Sequence, residues 1–136
     1  MKKLKILIVE GNLTSENKNF KDAGIQTHTE SLKESITNYN NNINYEILNP
    51  SSEDNFNKII GKLESFDGLV WGGSSLNIYH DTPEIKRQIF FMKECFNKVK
   101  NIFHSLLCYI LRHVQGHYHM NQDGFYQCNL FLLALK

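Results

Sequence analysis

No apolar run in this chain approaches the roughly 18 residues that a membrane-spanning helix requires. The opening Lys2-Lys3-Leu4-Lys5-Ile6-Leu7-Ile8-Val9 is basic and then apolar. Its apolar run stops at Glu10, well short of the roughly 7–15 residues of a secretory h-region. Cysteine is sparse and odd in number, three residues with no C-x-x-C spacing, which excludes a disulfide framework and the usual zinc modules. Charge of one sign is lacking too: 15 Lys and Arg against 14 Asp and Glu leave a formal net charge of +1. With no basic stripe, nothing points to nucleic acid. The expectation is a cytoplasmic protein with no membrane segment and no nucleic-acid partner.

What is present fits one compact domain. The chain has 136 residues, 41% hydrophobic and 21% charged, ordinary values for a globular protein. Leu4 to Val9 is a short continuous apolar run, as expected of a strand buried on both faces in a parallel sheet. A polar loop is expected from Gly11 to about Thr27. A helix follows, with the capping-box pattern Ser31-x-x-Glu34 and with Leu32, Ile36 and Tyr39 at helical spacing. Asn44 to Leu48 reads as a second strand, stopped by Asn49-Pro50. Ser51 and Ser52 offer an N-cap for a second helix, in which Phe56, Ile59, Ile60 and Leu63 share a face. Phe66-Asp67-Gly68 is a turn, Leu69-Val70-Trp71 a third strand, and Gly72-Gly73-Ser74-Ser75 the loop after it.

The third helix has the clearest start: Thr82 as N-cap, Pro83 at the first helical position and Glu84 in the first turn. Its expected apolar stripe is Ile85, Ile89, Met92 and Phe96, with Cys95 beside it. Asn101-Ile102-Phe103 reads as a fourth strand. Strand and helix alternate three times, which argues an α/β fold with a parallel sheet, helices on both faces and right-handed crossovers. Functional residues in such folds lie at the carboxyl ends of strands. Here those ends are Glu10-Gly11-Asn12, Asn49-Pro50-Ser51 and Gly72-Gly73-Ser74.

The composition shifts after Phe103. Residues 104–136 contain Arg112, Asp123 and Lys136 as their only charged residues, yet four of the six histidines and two of the three cysteines. Two units are therefore expected: an α/β part over 1–103 and an atypical tail over 104–136.

Gly72-Gly73, directly after a buried strand, is the most informative dipeptide. Glycines permit a tight turn and leave backbone N–H groups accessible at the strand end, where they can hold a developing oxyanion. On the dipeptide alone, a plain strand-to-helix turn is an equal reading.

The stretch Asp67-Gly68-Leu69-Val70-Trp71-Gly72-Gly73-Ser74-Ser75-Leu76-Asn77-Ile78-Tyr79, followed by Asp81-Thr82-Pro83-Glu84-Ile85, resembles class I glutamine amidotransferases. It is closest to the glutamine-hydrolysing part of GMP synthase. Lys5 to Asn12 and Asp22 to His28 resemble the same group, so the likeness covers about residues 1–103. It implies a flavodoxin-like three-layer fold, incomplete here at the C-terminal end. It also implies an activity that needs no cofactor or metal, in which a cysteine attacks the side-chain amide of glutamine and frees ammonia for a synthetase domain or subunit. By this resemblance Gly73, with Gly72 beside it, supplies the oxyanion hole through its backbone, and Ser74 borders the glutamine pocket.

The chain departs from that pattern after its fourth strand. The family places its nucleophile in G-x-C-x-G-x-Q, whereas this chain has His104-Ser105-Leu106-Leu107-Cys108-Tyr109. No glycine flanks Cys108, so the sharp turn that exposes such a nucleophile lacks sequence support. Cys108 is a weak nucleophile candidate, and a buried structural cysteine is the commoner role. His117-Tyr118-His119 lacks the glutamate of the family's H-x-E pair. A truncated or frameshifted amidotransferase copy, inactive in this form, is the expectation; a genuine divergent tail is the alternative. His113, His117, His119 and Cys128 could together hold zinc, but Gly116 weakens a shared helix, and scattered histidines are the plainer reading.

Two other function classes compete. One is a non-catalytic α/β binding or regulatory module, pairing a partner at the sheet edge of the fourth strand. The other is a receiver-type signalling domain, which needs an acidic pair after strand one and an aspartate ending strand three. The chain has Glu10-Gly11 and Trp71-Gly72 at those places.

Overall fold

The computed structural model describes residues 3–52, 56–77 and 79–99, together with the backbone of 102–104. Four strands form one parallel sheet in the order β2-β1-β3-β4. They are β1 (Leu4–Val9), β2 (Ile43–Leu48), β3 (Gly68–Trp71) and β4 (Ile102–His104). Helices α1 (Thr14–Asp22), α2 (His28–Tyr39), α3 (Phe56–Ile60) and α4 (Pro83–Lys98) alternate with them. This is the expected α/β fold in a flavodoxin-like arrangement.

β1 is central because it can be buried on both faces. Leu7 and Val9 point into one cluster with Leu69, Trp71, Leu63, Phe91, Met92 and Cys95, so α3 and α4 cover that face. Ile6 and Ile8 point the other way, against Val70 and against Leu32 and Ile36 of α2. The register pairs Leu7 with Leu69 and Val9 with Trp71. Alternation along each strand therefore stacks large side chains on the α3/α4 face.

Four expectations need correction. The stretch Gly11–Thr27 is not a continuous polar loop, because α1 occupies Thr14–Asp22. No α1 residue is buried, so apolar periodicity could not reveal it; its signals are at its ends. Glu16 Oε2 accepts from the Leu13 amide at 3.0 Å. At the other end Gly24 adopts φ 70°, while Ile25 N donates to Phe20 O (2.8 Å) and Gly24 N to Lys21 O (3.0 Å). That is the Schellman arrangement, for which glycine is favoured because it carries no Cβ.

Second, α2 begins one turn before Ser31. Thr27 is its N-cap, with Thr27 N donating to Glu30 Oε2 (3.0 Å) and Glu30 N to Thr27 Oγ1 (3.3 Å). Both Thr27-x-x-Glu30 and Ser31-x-x-Glu34 fit the capping pattern, and the earlier one lets Thr29 reach Glu10. Third, the helix over Phe56–Leu63 is interrupted: α3 ends at Ile60, and Leu63–Ser65 form a 3₁₀ turn. Ile59 and Leu63 are nevertheless buried in one cluster. Fourth, the buried face of α4 is Ile85, Gln88, Phe91, Met92 and Cys95. Ile89 is only half-buried, and Phe96 is 41% exposed.

The Thr82 cap holds as expected, its hydroxyl accepting from the Ile85 amide with Pro83 in the first turn. Among the described residues no helix is long and apolar enough to cross a membrane. Cys108, His113, His117, His119 and Cys128 lie outside the described residues, as does the expected tail beyond 104.

Candidate functional site

The loops at the carboxyl ends of β1 and β3 are built as one unit. Gly72 N donates to Val9 O at 2.9 Å and carries the ladder one residue past β3. Gly11 then passes so close to the glycine loop that a Cβ there would lie 2.8 Å from Gly73 O and 2.9 Å from Ser74 Cβ. Only glycine lets the two loops meet at that distance.

Side chains lock the contact. Ser74 Oγ donates to Gly11 O at 2.7 Å and accepts from Leu76 N at 3.1 Å. Ser75 N donates to Oδ1 of the buried Asn12 at 2.9 Å, and Ser75 Oγ to Glu16 Oε1 at 2.5 Å. Gln88 of α4 is also buried and donates to both Gly11 O (2.7 Å) and Ser51 Oγ (2.8 Å). A single amide thus ties the end of β1 to the loop after β2. Buried polar groups are tolerated only when so paired.

The structure brings Gly72, Gly73 and Ser74 together where strand-end chemistry is expected. Gly72 is buried; Gly73 and Ser74 are half-buried. Ser74 uses its hydroxyl on the loop itself. Among the described residues, no hydrogen bond is donated by the backbone amides of Gly73 and Ser74. Backbone N–H groups at such a strand end can serve as donors to a developing oxyanion.

Glu10 stood among the strand-end positions of the sequence, whereas His28 and Gln88 were not singled out there. Glu10, 4% exposed, has each carboxylate oxygen occupied: Oε1 accepts from Asn12 N at 2.9 Å, and Oε2 from the Thr29 hydroxyl. His28, the first residue of α2, lies over the glycine loop, with Nδ1 3.2 Å from Gly73 O. Gln88 was legible in principle, as a polar residue within the buried face of α4. His28 carried no such signal, because its contact spans 45 positions.

Beside this unit, a cleft of about 420 Å³ opens between α1, the start of α2 and the end of β2, with Glu10, Lys21, Thr27, Thr29 and Asn49 in its wall. Gly72, Gly73 and Ser74 do not line it. Lys21 pairs there with Glu30 at 3.0 Å. The Glu30 carboxyl is lowered to about 2, chiefly by the Thr27 amide and next by Lys21.

The thiol chemistry divides clearly. Cys95 is 1% exposed in the core, and burial pushes its thiol far above the usual range. It stays protonated and cannot attack a carbonyl. The receiver-type ligand set is also missing, because buried Trp71 ends β3 where an aspartate is needed.

A gamma-glutamyl-L-1-hydroxyisopropylamide hydrolase from Pseudomonas sp is 31% identical to this chain over 96 residues, 71% of the chain. That match supports the broad class I glutamine amidotransferase-like family, and not the GMP synthase group in particular. The chain spans about a third (32%) of the length of this curated relative. No family model matches the chain, and no solved structure does.

Proposed function

We propose that this chain is a glutamine amidotransferase-like hydrolase domain whose loop Gly72–Ser74 receives the γ-carbonyl oxygen of a γ-glutamyl amide. The observation that carries this reading is the pair of amides at Gly73 and Ser74 that donate to no group among the described residues, in a loop held by Gly72 N, Ser74 Oγ and Ser75 N. Likeness to a γ-glutamyl amide hydrolase supports the substrate class.

In the reaction, a thiolate adds to the γ-carbonyl carbon and the carbonyl oxygen becomes an oxyanion facing the two amides. The C–N bond then breaks, and ammonia or an amine leaves after taking a proton from solvent water. Water hydrolyses the resulting thioester to glutamate and free thiol. A fixed pair of donors stabilises the charge as it develops and costs no reorganisation.

Cys95 is excluded as the nucleophile by its burial. Cys108 is the candidate within this chain. The narrower assignment, in which glutamine is the substrate and ammonia passes to a synthetase domain or subunit as in GMP synthase, rests on the sequence likeness over Asp67–Ile85. A second reading, a non-catalytic α/β binding or regulatory module, is favoured by one observation: the cysteine among the described residues is buried.

Incubating the full chain with L-glutamine and with a γ-glutamyl N-alkylamide, and measuring released ammonia or amine, separates the two. Turnover that is lost in Cys108→Ser supports the hydrolase. Glutamine binding without turnover fits the amidotransferase-like copy inactive in this form, and no glutamine binding supports the non-catalytic module.

A further inference from the structure

The imidazole of His28 sits on the glycine loop in a way that no capping role requires. A Cβ built on Gly73 would lie 3.0 Å from both Nδ1 and Cε1 of the ring, and one built on Gly72 would lie 3.4 Å from His28 Cβ. The ring therefore covers the loop from the α2 side. Its Nδ1 is 3.2 Å from Gly73 O. A carbonyl oxygen only accepts, so Nδ1 must carry the proton and, in the neutral ring, Nε2 keeps the lone pair.

The peptide between Gly73 and Ser74 is trans, as every peptide bond among the described residues is. Its C=O and N–H point in opposite directions across a rigid plane. Drawing Gly73 O onto His28 therefore turns Ser74 N–H to the opposite side of the loop. Ser74 Oγ on Gly11 O and Ser75 N on Asn12 Oδ1 hold the far end of the same segment. The ring sets the orientation of one plane, and these bonds keep the rest from rotating with it.

We propose that His28 is a positioning residue for the oxyanion loop: through Nδ1–H it fixes the Gly73–Ser74 peptide so that the Ser74 amide joins that of Gly73 as a donor to the γ-carbonyl oxygen. This rests on the reading of Gly72–Ser74 as the oxyanion loop, but its structural content is separable. His28 is assigned neither attack nor proton transfer. The capping box at Thr27 and Glu30 sets its place by fixing where α2 begins. His28 is exposed, so its removal has little reason to affect the core.

The test is nuclear magnetic resonance on the isotopically labelled full chain. The ring nitrogens of His28 are expected to show the Nδ1–H tautomer at neutral pH. His28→Ala should move the Gly73 carbonyl and Ser74 amide resonances while leaving the melting temperature unchanged. His28→Asn, whose side-chain amide can donate from nearly the same point, should return both resonances toward the parent. L-glutamine titrated into the parent should shift the Gly73 and Ser74 amides, and in His28→Ala its Kd should rise about tenfold, the upper end for one neutral hydrogen bond. The Nε2–H tautomer in the parent, or unmoved loop resonances in His28→Ala, overturns the proposal. If the parent ignores glutamine, the hydrolase reading fails, while the tautomer and the loop resonances still decide what His28 does.

Discussion

The two faces of the sheet are unequal. Among the described residues, the core under α3 and α4 contains twelve buried residues, including Trp71 and Phe91 with ring centroids 5.8 Å apart. Under α2 the buried cluster is Ile6, Ile8 and Val70, with Leu32, Ile36 and Ile43 packed partly against it. At the β2 edge Tyr45 and Ile47 remain 37% and 44% exposed. The candidate site belongs to the thin face: His28 and Thr29 of α2 reach Gly73 and Glu10 there. Among the described residues, the thick face has the larger buried core, and the thin face has the smaller one with polar contacts beside it.

The largest effect that would sharpen this contrast is in the thick core. Phe91→Ala should cost about 3–5 kcal/mol in urea denaturation, whereas Ile36→Ala on the half-buried α2 side should cost only about 1 kcal/mol. Equal losses would break the comparison. Next is the contact between the loops. Gly11→Ala places a methyl group against backbone and should destabilise by about 1–3 kcal/mol, with the Gly73 amide resonance displaced.

A comparable loss of about 1–3 kcal/mol is expected from Thr29→Val, which leaves one oxygen of buried Glu10 without its donor. The smallest effect is pH-dependent. The Glu30 carboxyl lies at about 2 in the fold and near 4.3 in an unfolded chain. Its contribution is complete above the unfolded value and fades as pH falls toward about 2. Glu30→Gln should flatten the part of the melting-temperature profile below pH ~4.3 that comes from this group. An unchanged profile would remove the capping box as its source.

Much of this organisation was legible in the sequence. β1, β2, β3 and the Thr82 cap of α4 were readable because burial and capping chemistry are local. α1 was not, because it buries nothing, although Gly24 marked its end. The α4 stripe was misplaced because spacing alone favours Ile89 and Phe96, whereas the sheet selects Gln88, Phe91 and Cys95. The glycine loop was visible as Gly72-Gly73. Gly11 and Asn12 were visible as the end of β1, but Glu16, His28 and Gln88 were not, since they reach the loop or its neighbour only through tertiary contacts.

We propose that the Gly73 and Ser74 amides bind the γ-carbonyl oxygen of a γ-glutamyl amide. The most direct measurement is to titrate L-glutamine into the labelled chain and into Gly73→Pro and Gly73→Ala, following loop amides and affinity. Both substitutions crowd His28, but only proline removes the donor. Saturable shifts at Gly73 and Ser74 are expected in the parent, with weaker binding in Gly73→Pro than in Gly73→Ala. Equal affinities in the two variants, or no shift at these amides in the parent, would contradict it.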